Sequence, residues 1–197
     1  MPSYNTGPPY EYGVTIVQEG QRRFAPEPRM TATLYGTGGE VLGGGAYDGR
    51  FAIVMVPYSG NGHPRFLLVE RPGYYVAGLN IHAKPVITPV PLLVELRPHP
   101  ALVRPANVGD FVTVTVTSAF AACAGAGHSV YWWAEDGREL DRATTDVRGI
   151  AQLRRVSPEE HPRFLLTESD GLCQVTGLPY EEGVIDYPLA VEVSELR

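Results

Sequence analysis

HPRFLL stands at residues 63–68 and again at 161–166, and the 98 positions between the copies are half the chain. At the same offset Gly39 meets Gly137, Leu42 meets Leu140, Asp48 meets Asp146 and Arg50 meets Arg148. Glu70 meets Glu168, and Gly73 meets Gly171. The register runs without a gap from about residue 31 to 77, and PLLVEL at 91–96 matches PLAVEV at 188–193 after a slip of one. A period this long repeats whole domains, not solenoid units. The sequence therefore predicts a tandem duplication. An extended arm covers 1–12, one unit 13–97, a proline-rich connector 98–109 and the second unit 110–197.

Each unit is written in short β-type runs separated by turn residues. The first holds VTIVQ, MTATLYG, VLGGGAY, FAIVMV, RFLLVE, YYVAGL and PLLVEL. The second holds FVTVTVTS, SVYWWAE, ELDRATT, IAQLRRV, RFLLTES, LCQVTGL and LAVEVSEL. FVTVTVTS alternates at period two, and no segment sustains a helical period. Asp136-Gly137 and, in the same place, Gly38-Gly39 supply the positive φ of a tight hairpin. Asp48-Gly49 and Asp146-Val147-Arg148-Gly149 mark the next turn. Seven short strands per copy with such turns predict an all-β protein of two antiparallel β-sandwiches.

The stretches LYGTGGEVLGGGAYDGRFAI and YWWAEDGRELDRATTDVRGIAQL resemble the centre of bacterial immunoglobulin-like domains, among them invasin-type, carboxypeptidase-regulatory-like and collagen-adhesin B-type modules. The residues that carry the resemblance are Gly137, Leu140, Thr145, Asp146 and Gly149, with Gly39, Leu42, Asp48 and Gly49 in the first copy. The resemblance implies two tandem immunoglobulin-like sandwiches used as spacers, adhesive modules or decorations of larger assemblies. Cys123, Trp132 and Cys173 stand in the order of an antibody domain, but the tyrosine two places before the second cysteine is missing. Ala25 and Tyr75 replace the cysteines in the first copy, so the fold is expected not to need them, and their pairing is left open. Lys84 is the sole lysine, so the second copy cannot form the Lys–Asn crosslink known in collagen-adhesin domains.

Composition narrows the function. The net charge of −6 disfavours nucleic acid as a partner, and no apolar run approaches the ~20 residues of a membrane span. MPSYNTGPPYEYG lacks the basic and apolar regions of a secretory signal, so the expected location is a virion or the cytoplasm, or a cell surface if a signal has been removed. The histidines at 63, 82, 99, 128 and 161 lack metal-ligand spacing, and no metal or cofactor is expected. GTGGEVLGGG lacks the Gly-Lys-Ser/Thr of a phosphate loop and reads as a glycine-rich hairpin. The carboxylates at Glu135/Asp136, Glu139/Asp141 and Glu181/Glu182 read as solvated hairpin tips ahead of a weak calcium site. No nucleophile or metalloprotease motif is present, so no catalytic residue is nominated.

The candidate contact residues are aromatic. Tyr4, Tyr10, Tyr12 and Tyr58 fall in the arm or in expected loops. Trp132 and Trp133 are neighbours on one strand and must point to opposite faces, so one is core and the other exposed unless its face is covered. Trp133 is nominated as a contact. In the repeated motif, His63, Pro64, Arg65 and Phe66, with His161, Pro162, Arg163 and Phe164, read as structural: proline opening an edge strand, phenylalanine pointing inward. The expectation is a non-enzymatic structural or interaction protein that docks on a repeated protein surface. Its setting would be a phage or phage-like particle: capsid decoration, tail or injection apparatus, or a homo-oligomeric lattice. The alternatives are an extracellular adhesin or carbohydrate-binding module, and an accessory domain of an enzyme complex.

Overall fold

The computed structural model describes residues 10–18, 29–47, 53–81, 92–99, 110–169, 173–180 and 189–195. These residues are nearly all strand, with single 3-10 turns at Ala121–Cys123 and Pro158–Glu160. The first half holds β1 (Tyr10–Gln18), β2 (Thr31–Gly36), β3 (Val41–Ala46), β4 (Ile53–Tyr58), β5 (Pro64–Glu70), β6 (Val76–Asn80) and β7 (Leu92–Leu96). The second holds β8 (Phe111–Thr117), β9 (Ser129–Ala134), β10 (Glu139–Thr144), β11 (Ile150–Arg154), β12 (Pro162–Glu168), β13 (Val175–Pro179) and β14 (Leu189–Glu192). Strand order recurs between halves. Sheet β4-β1-β7 has its equal in β11-β8-β14, and β3-β2-β5-β6 in β10-β9-β12-β13. Among the described residues no helix is long and apolar enough to cross a membrane.

Two kinds of strand follow from two kinds of sequence. β8, FVTVTVT, buries Val112, Val114 and Val116 and turns its threonines outward, because one face of its sheet is covered. β5 and β9 carry near-continuous apolar runs, FLLV and VYWWA, because both of their faces are covered. The inner faces build one core per half, around Val14, Leu34, Val56 and Leu67 in the first and Val114, Trp132, Leu153 and Leu165 in the second. The other faces meet in a third core shared by the halves. It contains Tyr35, Phe66, Leu68 and Val76 with Tyr131, Trp133, Phe164, Leu166 and Val175.

The join is reciprocal. β6 pairs antiparallel with β13, so the two four-stranded sheets form one of eight strands that folds over its own third core. Ala77 sits opposite Thr176, with Gly78 opposite Val175 and Val76 opposite Gly177. These are equivalent residues at an offset of 99, since VAGL at 76–79 matches VTGL at 175–178. The gap-free register therefore ends before β6, and Tyr74, not Tyr75, is the true counterpart of Cys173: Tyr74 bridges Pro98 as Cys173 bridges Glu195. At the hairpin tips Gly39 and Gly137 have φ of +83° and +81° and lie back to back; a Cβ on Gly39 would stand 2.0 Å from the Gly137 Cα. Residue i meets residue j′ as j meets i′, the geometry of an isologous dimer inside one chain.

Two expectations change, and the pairing left open for the cysteines is settled. β5 and β12 do open at Pro64 and Pro162, but they are interior strands, β5 between β2 and β6 and β12 between β9 and β13. The prolines are tolerated because each sits at the first residue, where the pairing register shifts. The arm is shorter than residues 1–12, because Tyr10, Glu11 and Tyr12 pair with Tyr58, Pro57 and Val56. Cys123 and Cys173 form a disulfide across 50 residues, tying the β8–β9 loop to the start of β13. Lettered A to G, each half places D-A-G in one sheet and C-B-E-F in the other, whereas an antibody constant domain places A-B-E-D and C-F-G. Of the connector, residues 100–109 lie outside the described residues.

Candidate functional site

The repeated hexapeptide is the seam between the halves. Phe66 meets Trp133 edge-on at 5.6 Å, and its equivalent Phe164 meets Tyr35 edge-on at 6.4 Å. Arg65 faces Glu168 at 3.9 Å, and Arg163 faces Glu70 at 3.4 Å, the same pair with the halves exchanged. Each guanidinium also covers aromatic rings: Arg65 lies 4.6 Å from Phe66 and 5.0 Å from Trp133, Arg163 4.9 Å from Phe164 and 5.2 Å from Tyr35. Contacts of this kind add to simple burial of the rings. His63 and His161 are exposed, and their carbonyls accept the amides of Thr37 and Glu135. The motif is identical in both copies because both copies face each other through it.

Around Arg65 the seam opens into a polar cleft of about 460 Å³ lined by Thr37, Asn80, Gly127, Ser129, Arg142, Glu168 and Ser169. Glu139 on β10 bridges two guanidiniums, Arg65 at 2.7 Å and Arg142 at 2.5 Å. Burial alone would raise its pKa, but hydrogen bonds from Arg142 and Arg65 outweigh that and hold the carboxyl below its ordinary range. Glu168 accepts from the Tyr131 hydroxyl at 3.0 Å and from the Asn80 amide. Burial, with the Glu168 charge beside it, holds Tyr131 neutral far above its usual range. The equivalent place around Arg163 is built differently. Burial raises Glu70 against the opposing pull of Arg163 and pushes Tyr35 up to about 12. Gly44 stands there where Arg142 stands here, and Val41 where Glu139 stands.

Among the remaining nominated residues, Trp133 is fully buried in the third core and is no surface contact. Its face is covered by the other half, which the alternation rule alone could not reveal. Tyr58 closes the first core, 8% exposed, with its hydroxyl on the Gly62 carbonyl, and Tyr12 packs partly buried beside it at 6.2 Å. Both are structural. Tyr10 begins β1, and Tyr4 lies outside the described residues. Sequence reasoning missed Arg142, Glu139, Asn80 and Glu168 as a group. VAGL against VTGL, with the double-faced runs FLLV and VYWWA, was the readable sign that the halves close on each other.

The other polar motifs are turn chemistry. Asp146 accepts from the backbone of Arg148 and Ile150 at 2.8 and 2.9 Å, which positions Gly149 at φ +75°. Asp136 pairs with Arg138, whose hydrogen bonds lower its pKa. Glu181 and Glu182 lie outside the described residues. Among the described residues no three of His, Cys, Asp and Glu are placed to hold a metal ion. The triple glycine of β3 serves close approach, since a Cβ on Gly43 would stand 1.9 Å from the Pro57 carbonyl on β4.

Fold and site together define an all-β protein of stacked sheets closed around an internal seam. No family model matches the chain, and no curated protein matches it. Among solved structures, the chain is similar to the Bacillus anthracis TIE protein at 12% identity and a TM-score of 0.27. The match covers 95% of this chain and 34% of that one, so the chain spans about a third of its length. A likeness of that size supports no conclusion about fold or function.

Proposed function

We propose that the chain is a non-enzymatic interaction module, built from two duplicated sandwiches of the bacterial immunoglobulin-like kind, that docks as one rigid block on a repeated protein surface. The observation that carries this reading is the use made of its reactive groups. The arginines and phenylalanines of the repeated motif, with Glu70 and Glu168 just beyond it, are spent on the seam, and Glu139 is held ionised by two guanidiniums, unfit for general-acid work. A fused pair of sandwiches offers stiffness and a fixed spacing, which suit a part in an ordered assembly. A phage or phage-like particle, as capsid decoration, tail or injection-apparatus part, is the proposed setting. The experiment is quantitative mass spectrometry of particles purified from cells that make the protein. A copy number in fixed ratio to the lattice subunit is expected. Its absence from every particle fraction, with the protein recovered free or on the cell exterior, overturns the reading.

A further inference from the structure

We propose that the cleft beside Arg65 binds a neutral polyhydroxylated ligand, a saccharide unit of hexose size. This goes beyond the docking reading and does not depend on it. The starting point is the difference between two places that the repeat makes equivalent. Bracing the halves takes one arginine and one glutamate, as Arg163 and Glu70 show on the far side. Around Arg65 the same brace is surrounded by Arg142, Glu139, Asn80 and Ser129, where the far side has Gly44, Val41, Pro179 and Thr31, and by the small Thr37, Gly127 and Ser169, where the far side has the long charged Glu135, Arg29 and Arg71. Glu139 and Asn80 also bond across the seam, to Arg65 and Glu168, and the small residues at the remaining places leave the space beside them open. The cleft there, about 460 Å³, is within the size of small-molecule sites. Ser169, another lining residue, has a buried hydroxyl without a hydrogen-bond partner, and a turn of that side chain would bring it to a ligand hydroxyl.

Charge decides the ligand class. Arg65 and Arg142 are balanced by Glu139 and Glu168, so an anion finds no net positive field. A cation finds carboxylates already held by guanidinium, amide and phenol donors. The walls are polar, which disfavours an apolar ligand. A sugar hydroxyl both donates and accepts, and a guanidinium edge beside a carboxylate offers both partners at once. The rings of Phe66 and Trp133 lie beneath Arg65, so recognition is by hydrogen bonds and not by stacking.

The test uses the full chain on a glycan array, followed by calorimetric titration with the neutral sugars that score and, in parallel, with acetate and phosphate. Saturable binding of a neutral sugar is expected. Arg142→Ala, on the exposed rim, should weaken it about tenfold or more with the melting temperature retained. Arg163→Ala, at the equivalent place on the far side, should leave the affinity unchanged. The proposal is overturned if no neutral sugar binds, if Arg142→Ala leaves sugar affinity intact, or if only anions bind and salt abolishes it. Particle association of the Arg142→Ala protein, measured separately, reports on the docking reading alone.

Discussion

At the residue scale, side chains that look like contact groups in the sequence turn out to be interior. Trp133, Phe66 and Phe164 fill a core that neither half could build alone. Replacing any one of them with alanine should cost about 3–5 kcal/mol in denaturant titrations, because a large ring leaves a cavity on a face that cannot collapse. His63→Ala and His161→Ala should stay within about 1 kcal/mol, since those histidines are exposed. Equal losses for histidine and phenylalanine would contradict the assignment of the motif to the seam. The cysteines, absent from the first half, are paired in the second. The disulfide closes a loop of 50 residues, and the chain-entropy argument gives it about 4 kcal/mol. The Cys123→Ser, Cys173→Ser protein should therefore melt well below the oxidised parent and level with the reduced parent. An unchanged melting temperature in oxidising buffer would show that the bond contributes nothing.

At the element scale, two carboxylates paired with the seam arginines, Glu139 with Arg65 and Glu70 with Arg163, should respond to pH in opposite senses. Glu139 has a folded pKa below its ordinary 4.5, so its contribution is present above that value and fades as pH falls through the folded one. Glu70 has a folded pKa above 4.5, so its contribution is full below 4.5 and is lost as pH rises through the folded value. Glu139→Gln should thus lower stability at pH 7 and converge with the parent below pH 4.5. Glu70→Gln should be neutral or slightly stabilising at pH 7 and converge with the parent in acid. Each effect should be at most about 1 kcal/mol, because both carboxylates keep more than a quarter of their exposure. Melting curves of the three proteins from pH 3 to 8 check the signs; parallel curves would refute them. The strands themselves were legible, because alternation and Asp-Gly turns are local signals. The interior position of β5 and β12 was not, because an edge strand and a proline-opened central strand begin alike. The cleft was hidden for the same reason: Arg65, Asn80, Arg142 and Glu168 come from four strands, and only the seam gathers them.

At the scale of the whole molecule, the repeat was readable but its closure was not, since a duplication is equally compatible with two beads on a connector. The structure resolves the ambiguity through one property, self-complementarity. Each half presents an unpaired edge, β6 or β13, and an apolar face, and finds its match in the other half. The second half alone, residues 110–197, keeps its own core and its disulfide, but its third-core face and its β13 edge would meet water. An exposed edge beside an apolar face invites pairing with an identical copy. We expect this fragment to form a two-fold dimer in which β13 pairs with β13, Thr176 lies opposite Thr176, and Arg163 faces Glu168 of the second copy. Light scattering at tens of micromolar should give twice the fragment mass, and Trp133→Arg should return it to a monomer with unchanged far-ultraviolet circular dichroism. The full chain should meanwhile stay monomeric at the same concentration, because the tethered half wins the seam at high effective concentration. A monomeric fragment with native circular dichroism would mean that the seam depends on groups found only in the first half, Asn80 and Tyr75 foremost, and that the two halves have diverged past self-recognition.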